Sequence, residues 1–217
     1  MEFPYAELIN IRGWDGNTIE LSAEVLINMG KNDDAYQFSL TDTNGGKEIN
    51  GDIKDYDKLP EVIQIKKGGQ VFYFDTDDWN SPQIKKFYEE EGREGISWSS
   101  HGVARAIKVE IKVPRNLGSL EVTSKFGLID IENLNIPVKA TSKHGGVDMA
   151  ISSSNTNEFE LDSKWGTIYT NLDLDFKTMK GFEDSNDWSH VECSINGGVG
   201  PKIELISQHA NIYLRKQ

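Results

Sequence analysis

The chain has 217 residues, a formal net charge of −12 and only one cysteine. A surface this acidic repels a phosphate backbone, which disfavours nucleic-acid partners, and one cysteine excludes an internal disulfide. No apolar stretch approaches the roughly 20 residues of a membrane span, and 37% hydrophobic residues suits a thin structure with much surface per residue.

The N-terminal MEFPYAEL lacks the basic and apolar regions of a secretory leader. The expected compartment is therefore the periplasm or cell surface if a leader has been removed, and the cytoplasm otherwise. Short alternating segments follow, separated by Gly, Asn and Asp. Ile9–Ile27 reads as strand, turn and strand around Trp14-Asp15-Gly16-Asn17. Tyr36–Leu40 alternates and meets a turn cluster at Asp42–Lys47. Val62–Phe74 reads as a strand pair about Lys67-Gly68-Gly69, and Ala106–Val113 as a clean strand closed by Pro114.

Residues 75–103 break this rhythm and read as a polar, irregular insertion. Within it, Ser81-Pro82 has the form of a helix cap and a first-turn proline. Ile84, Phe87 and Tyr88 then fall at helical spacing and Gly92 supplies a stop, which predicts a helix over Pro82–Glu91. The expected class is all-β, a β-solenoid or β-roll of stacked short strands in one domain over 1–217, with regular repeats over 114–217.

Those repeats carry the strongest signal. LEVTSKFGLIDI (Leu120–Ile131), VKATSKHGGVDM (Val138–Met149), FELDSKWGTIYT (Phe159–Thr170) and IELISQHANIYL (Ile203–Leu214) are four copies of one pattern. A unit near 20 residues long is the mark of stacked repeats, each burying its apolar edge on the next. Aligned on Ser124, Ser142, Ser163 and Ser207, the copies place Leu120, Val138, Phe159 and Ile203 four residues earlier. Val122, Ala140, Leu161 and Leu205 stand two residues earlier, and Ile129, Val147, Ile168 and Ile212 five later. Period two puts all of these on an inward face. The serines are expected inside corners, bonding backbone, and Gly127, Gly145 and Gly166 are expected to supply a positive φ there. A second irregular stretch, Lys177–Ser189, separates the third and fourth copies.

Three outward columns follow from the same alignment. Phe126, His144, Trp165 and His209 form an aromatic column that either stacks on itself at a corner or offers a platform to sugar rings. It is the candidate binding surface. Asp130, Asp148, Tyr169 and Tyr213 form the second column. Its paired aspartates suit a shared cation or an acid pair, but solvated carboxylates are the preferred reading. Lys125, Lys143 and Lys164 make a basic stripe, expected to pair with Glu121, Glu160 or Glu204 and conceivable as a contact for an anionic glycan.

Other chemistry is sparse. Asp75-Thr76-Asp77-Asp78 lacks the later Gly and bidentate Glu of a helix–loop–helix calcium site. The histidines His101, His144, His190 and His209 show no zinc spacing, and no phosphate loop or nucleophile elbow is present. Cys193 reads as a small buried hydrophobe. No catalytic residue, metal or cofactor is expected.

The passages INIRGWDGNTIELSAEV, EIKVPRNLGSLEVTSKFGLIDI, VKATSKHGGVDM and SINGGVGPKIELISQHANIYL resemble a family of bacterial proteins named as adhesins from their architecture, long classed as a domain of unknown function. The family is similar to head-GIN autotransporter adhesin domains, and the resemblance is weakest over Asp75–Val103. It implies a β-solenoid, export to the periplasm or cell surface, and adhesion through a glycan or protein partner, with no catalytic residues to carry over. Two other classes stay open: a β-helix polysaccharide lyase or hydrolase working through Asp130 and Asp148, and a scaffold without ligand that associates through its edges.

Overall fold

A computed structural model describes residues 1–181 and 187–217. In chain order the elements are β1 (Glu2–Phe3), β2 (Leu8–Trp14), β3 (Glu20–Ile27), β4 (Tyr36–Thr43), β5 (Gly46–Ile53), β6 (Val62–Lys67), β7 (Gln70–Phe74), α1 (Pro82–Glu91), β8 (Ile96–Gly102) and β9 (Arg105–Pro114). The repeats then supply β10 (Leu120–Ser124), β11 (Leu128–Glu132), β12 (Val138–Ser142), β13 (Val147–Ile151), β14 (Glu158–Lys164) and β15 (Ile168–Thr170). A hairpin-like pair, β16 (Asp175–Lys180) and β17 (Trp188–Ser194), precedes β18 (Lys202–Ser207) and β19 (Ile212–Lys216). The chain is thus all-β apart from α1 and two 3-10 turns among the described residues.

Backbone proximity divides the chain into two compact units: Met1–Glu24, Gln37–Asp52 and Ile107–Gln217 form one, Val25–Tyr36 and Ile53–Ala106 the other.

The first unit is dominated by two large sheets. One runs β16-β17-β14-β18-β12-β10-β1-β5-β4, the other β15-β19-β13-β11-β2-β9-β3. Each repeat copy gives one strand to each sheet, and the copies lie side by side in the order first, second, fourth, third. Pairing is parallel and in register, so Ser124 faces Ser142, Ser142 faces Ser207, and Ser207 faces Ser163. The inward columns are buried as their alternation requires, from Leu120 at 4% exposure to Ile203 and Ile212 at 0%. Each fully buried side chain of this size contributes about 1.5–3 kcal/mol. Ile168 is the exception and stays half-buried, because β15 ends its sheet and only one neighbour covers it.

All four anchor serines are buried and bond backbone at the corners. The Ser124 hydroxyl accepts the Gly127 N–H at 2.8 Å. Ser142 accepts the Gly145 N–H at 3.1 Å and donates to the Gly127 carbonyl of the neighbouring copy at 2.9 Å. Ser207 donates to its own Ala210 carbonyl at 2.6 Å and Ser163 to the same carbonyl at 3.5 Å. The corner glycines behave differently from expectation. Gly127, Gly145 and Gly166 do not have positive φ; the left-handed residue beside the last of them is Trp165, at φ +59°. Glycine is required at these positions by crowding, since a Cβ on Gly145 would collide with the Gly127 carbonyl and one on Gly166 with that of Ala210.

The Lys177–Ser189 stretch is less irregular than its sequence suggests. β16 pairs antiparallel with β17, and β17 antiparallel with β14. The short range 182–186 of that stretch lies outside the described residues. β16 escaped the alternation test because it is a terminal strand with no buried side chain, and Phe176 and Met179 are exposed.

In the second unit β6 is flanked by β7 and β8 in an antiparallel sheet. Helix α1 closes one face of it, burying Ile84 and Phe87 against Ile63, Ile65, Phe72 and Phe74. The helix starts and stops where cap chemistry places it. The Ser81 hydroxyl accepts the Ile84 N–H and the Gly92 N–H bonds the Tyr88 carbonyl at 3.0 Å. The Lys67 ammonium meets the Glu91 carbonyl at the helix C-terminus, the end that favours a cation. Residues 75–103 therefore hold a strand as well as a helix. β8 (ISWSSHG) hides in a polar run because none of its side chains is buried, so neither face is marked by apolar residues.

Candidate binding surface

The corner geometry projects the residue two places after each anchor serine outward, and the parallel register stacks those residues. The order in space is Phe126, His144, His209, Trp165, with ring centroids 5.5, 4.7 and 4.7 Å apart and interplanar angles of 18°, 12° and 21°. All four candidate residues are thus brought into one column. The rings lie face to face, so the interior pair spends its faces on its neighbours and turns edges to solvent. All four members are exposed, the end members Phe126 at 38% and Trp165 at 50%. Trp165 is also the strained one, because a bulky side chain in the left-handed region is a genuine outlier. Packing between rings desolvates His144 and, with positive charge from His209, Lys143 and Lys125, holds its pKa below the ordinary histidine value.

The basic stripe runs alongside the column but does not pair with the glutamates. Lys164 places its ammonium 4.1 Å from the Trp165 ring centre and Lys125 lies 5.1 Å from that of Phe126. Glu160 and Glu204 instead hold Lys202, at 2.7 and 2.9 Å, and Lys139 approaches Glu204 at 3.9 Å. Lys139 shares the outward row of Glu204 and Lys202 lies in the next row, opposite Glu158, whereas the stripe sits at the corner, nearer the rings. Beside the stripe opens a groove of about 380 Å³, lined by Lys143, Lys164, Gln208, Trp188, Asp162 and Ile206 among others.

The other columns are mostly engaged in the fold. Tyr169 and Tyr213 stack at 5.3 Å. Asp130 and Asp148 lie side by side in register, and both meet arginines: Arg12 bonds Asp130 at 2.6 Å and Arg215 bonds Asp148 at 2.6 Å. Arg215 also reaches Glu132 at 3.1 Å. Desolvation raises the Asp148 pKa despite the Arg215 hydrogen bond and charge that oppose it. Cys193 is buried, and burial pushes its thiol up to about 11.

Two further groupings were not anticipated. Glu160, Asp162 and His190 bring three possible ligand atoms within 4.8 Å of one another, yet Glu160 is held by Lys202 and Asp162 by His190 Nδ1 at 2.8 Å. Trp188 stacks on His190 at 5.6 Å and 16°. The alternation of His190 and Glu192 with Val191 and Cys193 is the signal that could have found this strand. Arg12 and Arg215 could have been read the same way, two residues beyond the column that holds Asn10 and Tyr213.

No family model matches the chain and no curated protein matches its sequence. A solved structure from Clostridium sporogenes ATCC 15579, described as a "putative cell adhesion protein", superimposes with a TM-score of 0.52 at 8% identity, covering 100% of this chain and 91% of that one. At that identity the likeness is one of fold. Among the described residues, no helix is long and apolar enough to cross a membrane.

Proposed function

We propose that this chain is a non-catalytic, exported cell-surface or envelope protein of adhesin type. In this reading it is a β-solenoid in which each repeat is one rung, and its ring column and flanking lysines bind a glycan or protein partner. The observation that carries it is the column itself. Four rings from four separate repeats stand in one line at the surface, the end member held in a strained left-handed conformation. Backbone strain of this kind costs about 1–3 kcal/mol and collects at functional sites. The fold likeness to a protein described in terms of cell adhesion points the same way. The non-catalytic reading is supported by Arg12 and Arg215, which occupy the carboxylates of Asp130 and Asp148.

The test is a broad glycan array together with capture on surface proteins, comparing wild type with Trp165→Ala. Binding without turnover, weakened in the variant, is the expected result. Wild-type binding that Trp165→Ala leaves untouched removes the column as the site, and turnover of a bound glycan removes the non-catalytic reading.

A further inference from the structure

The groove beside the ring column has a composition that the column lacks. Its floor is an outward row that runs across three strands in register, Thr141, Ile206 and Asp162. The same row continues to His190 on β17. Its rim is formed by Lys143, Gln208 and Lys164, the residues that follow the in-register serines Ser142, Ser207 and Ser163, with Trp188 paired opposite Lys164. Adjacent strands are about 4.8 Å apart, a spacing close to that of successive rings in an extended glycan. Ile206 is the only apolar residue in the floor row from Thr123 to His190, and it lies half-buried at the centre.

We infer that this groove takes an acidic saccharide, its anionic group held between Lys143 and Lys164 and its apolar ring face laid on Ile206 and Trp188. This rests on the glycan arm of the function proposed above. Each piece has a reason to be where it is. Lys164 is steadied over the Trp165 ring. Trp188 is fixed by its stack on His190, and His190 is oriented by its bond to Asp162. An ionised carboxylate has room for about four hydrogen bonds, so Asp162 retains acceptor capacity for a sugar hydroxyl. Two lysines against one aspartate leave the groove locally positive on a chain of net charge −12. A short acidic ligand gains from this local charge, while the acidic remainder of the protein disfavours a long one. Carboxylated and sulfated sugars share the required chemistry.

Titration calorimetry on the full chain separates the possibilities. The probes are a tetragalacturonate, its fully methyl-esterified counterpart, and a carrageenan tetrasaccharide that carries sulfate in place of carboxylate. The acid is expected to bind, more weakly as salt rises, and about tenfold or more tighter than the ester. The double variant Lys143→Gln/Lys164→Gln is expected to erase that advantage, with an unchanged thermal midpoint because both side chains are exposed. Sulfate binding with the same lysine dependence also supports the inference, and the preferred probe then identifies the anionic group. Equal affinity for acid and ester overturns it using wild type alone, and leaves the glycan reading standing. No binding of any probe overturns it too. In that case the array decides whether the glycan arm falls as well, since hits among neutral glycans preserve it and a blank array removes it.

Discussion

Glycine does opposite work at the repeat corners of one unit and at the β6–β7 turn of the other. In the repeat unit Gly145 and Gly166 sit where a neighbouring strand's carbonyl passes too close for any Cβ, and neither has a left-handed backbone. In the other unit Gly68 turns the β6–β7 hairpin at φ +58° with nothing within 4 Å of where its Cβ would lie. The repeat corner is therefore specified by how closely copies stack, the β6–β7 hairpin by how sharply the chain turns. Stacking is a many-body constraint with no slack, because backbone meets backbone. A turn is a local constraint that a side chain strains but does not block.

The largest break in that comparison is Gly145→Ala. Overpacking against a fixed carbonyl is expected to cost about 3 kcal/mol, and the copy cannot move away without loosening the registers on both its sides. Gly68→Ala is expected to cost about 1 kcal/mol, the strain of a left-handed alanine. Urea unfolding of both variants checks the difference. Equal costs would show that stacking distance does not control the repeat unit.

The serines extend the contrast at smaller size. Ser142→Ala strips the Gly145 N–H and the Gly127 carbonyl of a buried partner, an expected loss of about 2 kcal/mol. Ser81→Ala removes a helix cap from the other unit and is expected to cost about 1 kcal/mol. Amide hydrogen exchange assigns each loss to its place: the Ser142 variant should open β12 and its neighbours, the Ser81 variant the first turn of α1. Loss of protection across both units in either variant would contradict separate specification.

The same contrast explains what could be read from the chain. Local signals were legible wherever one residue's chemistry sufficed, so Ser81, Pro82 and Gly92 bounded α1 to the residue, and Lys67-Gly68-Gly69 marked the hairpin. The repeat alignment likewise gave the columns, because a strand's period of two does not depend on its partners. The order of the copies was not legible. Nothing in the fourth copy announces that β18 lies between β12 and β14, since its inward residues would suit either neighbour. The glycine requirement was misread for the same reason, as crowding depends on which carbonyl lies alongside. Of the surface, the ring column was legible but the groove was not, because Trp188 reaches it only through the antiparallel return of β17 onto β14.

The smallest effect lies in the ring column itself, where His144 faces His209 and Phe126, with Lys143 and Lys125 nearby. Its pKa is lowered from 6.5 in the folded chain, so between that folded value and 6.5 the unfolded chain binds more protons. Stability from this group is then fully present above pH 6.5 and is lost as the pH falls through the folded pKa. The thermal midpoint should accordingly be flat above neutrality and decline as the pH falls below 6.5. His144→Phe keeps a ring in the column and removes the titrating group, so it should flatten that decline while leaving the midpoint at pH 8 nearly unchanged. A variant with the wild-type slope would show that the acid sensitivity arises elsewhere. A variant that loses stability at pH 8 would show that the column depends on an imidazole in that place, and not merely on a stacked ring.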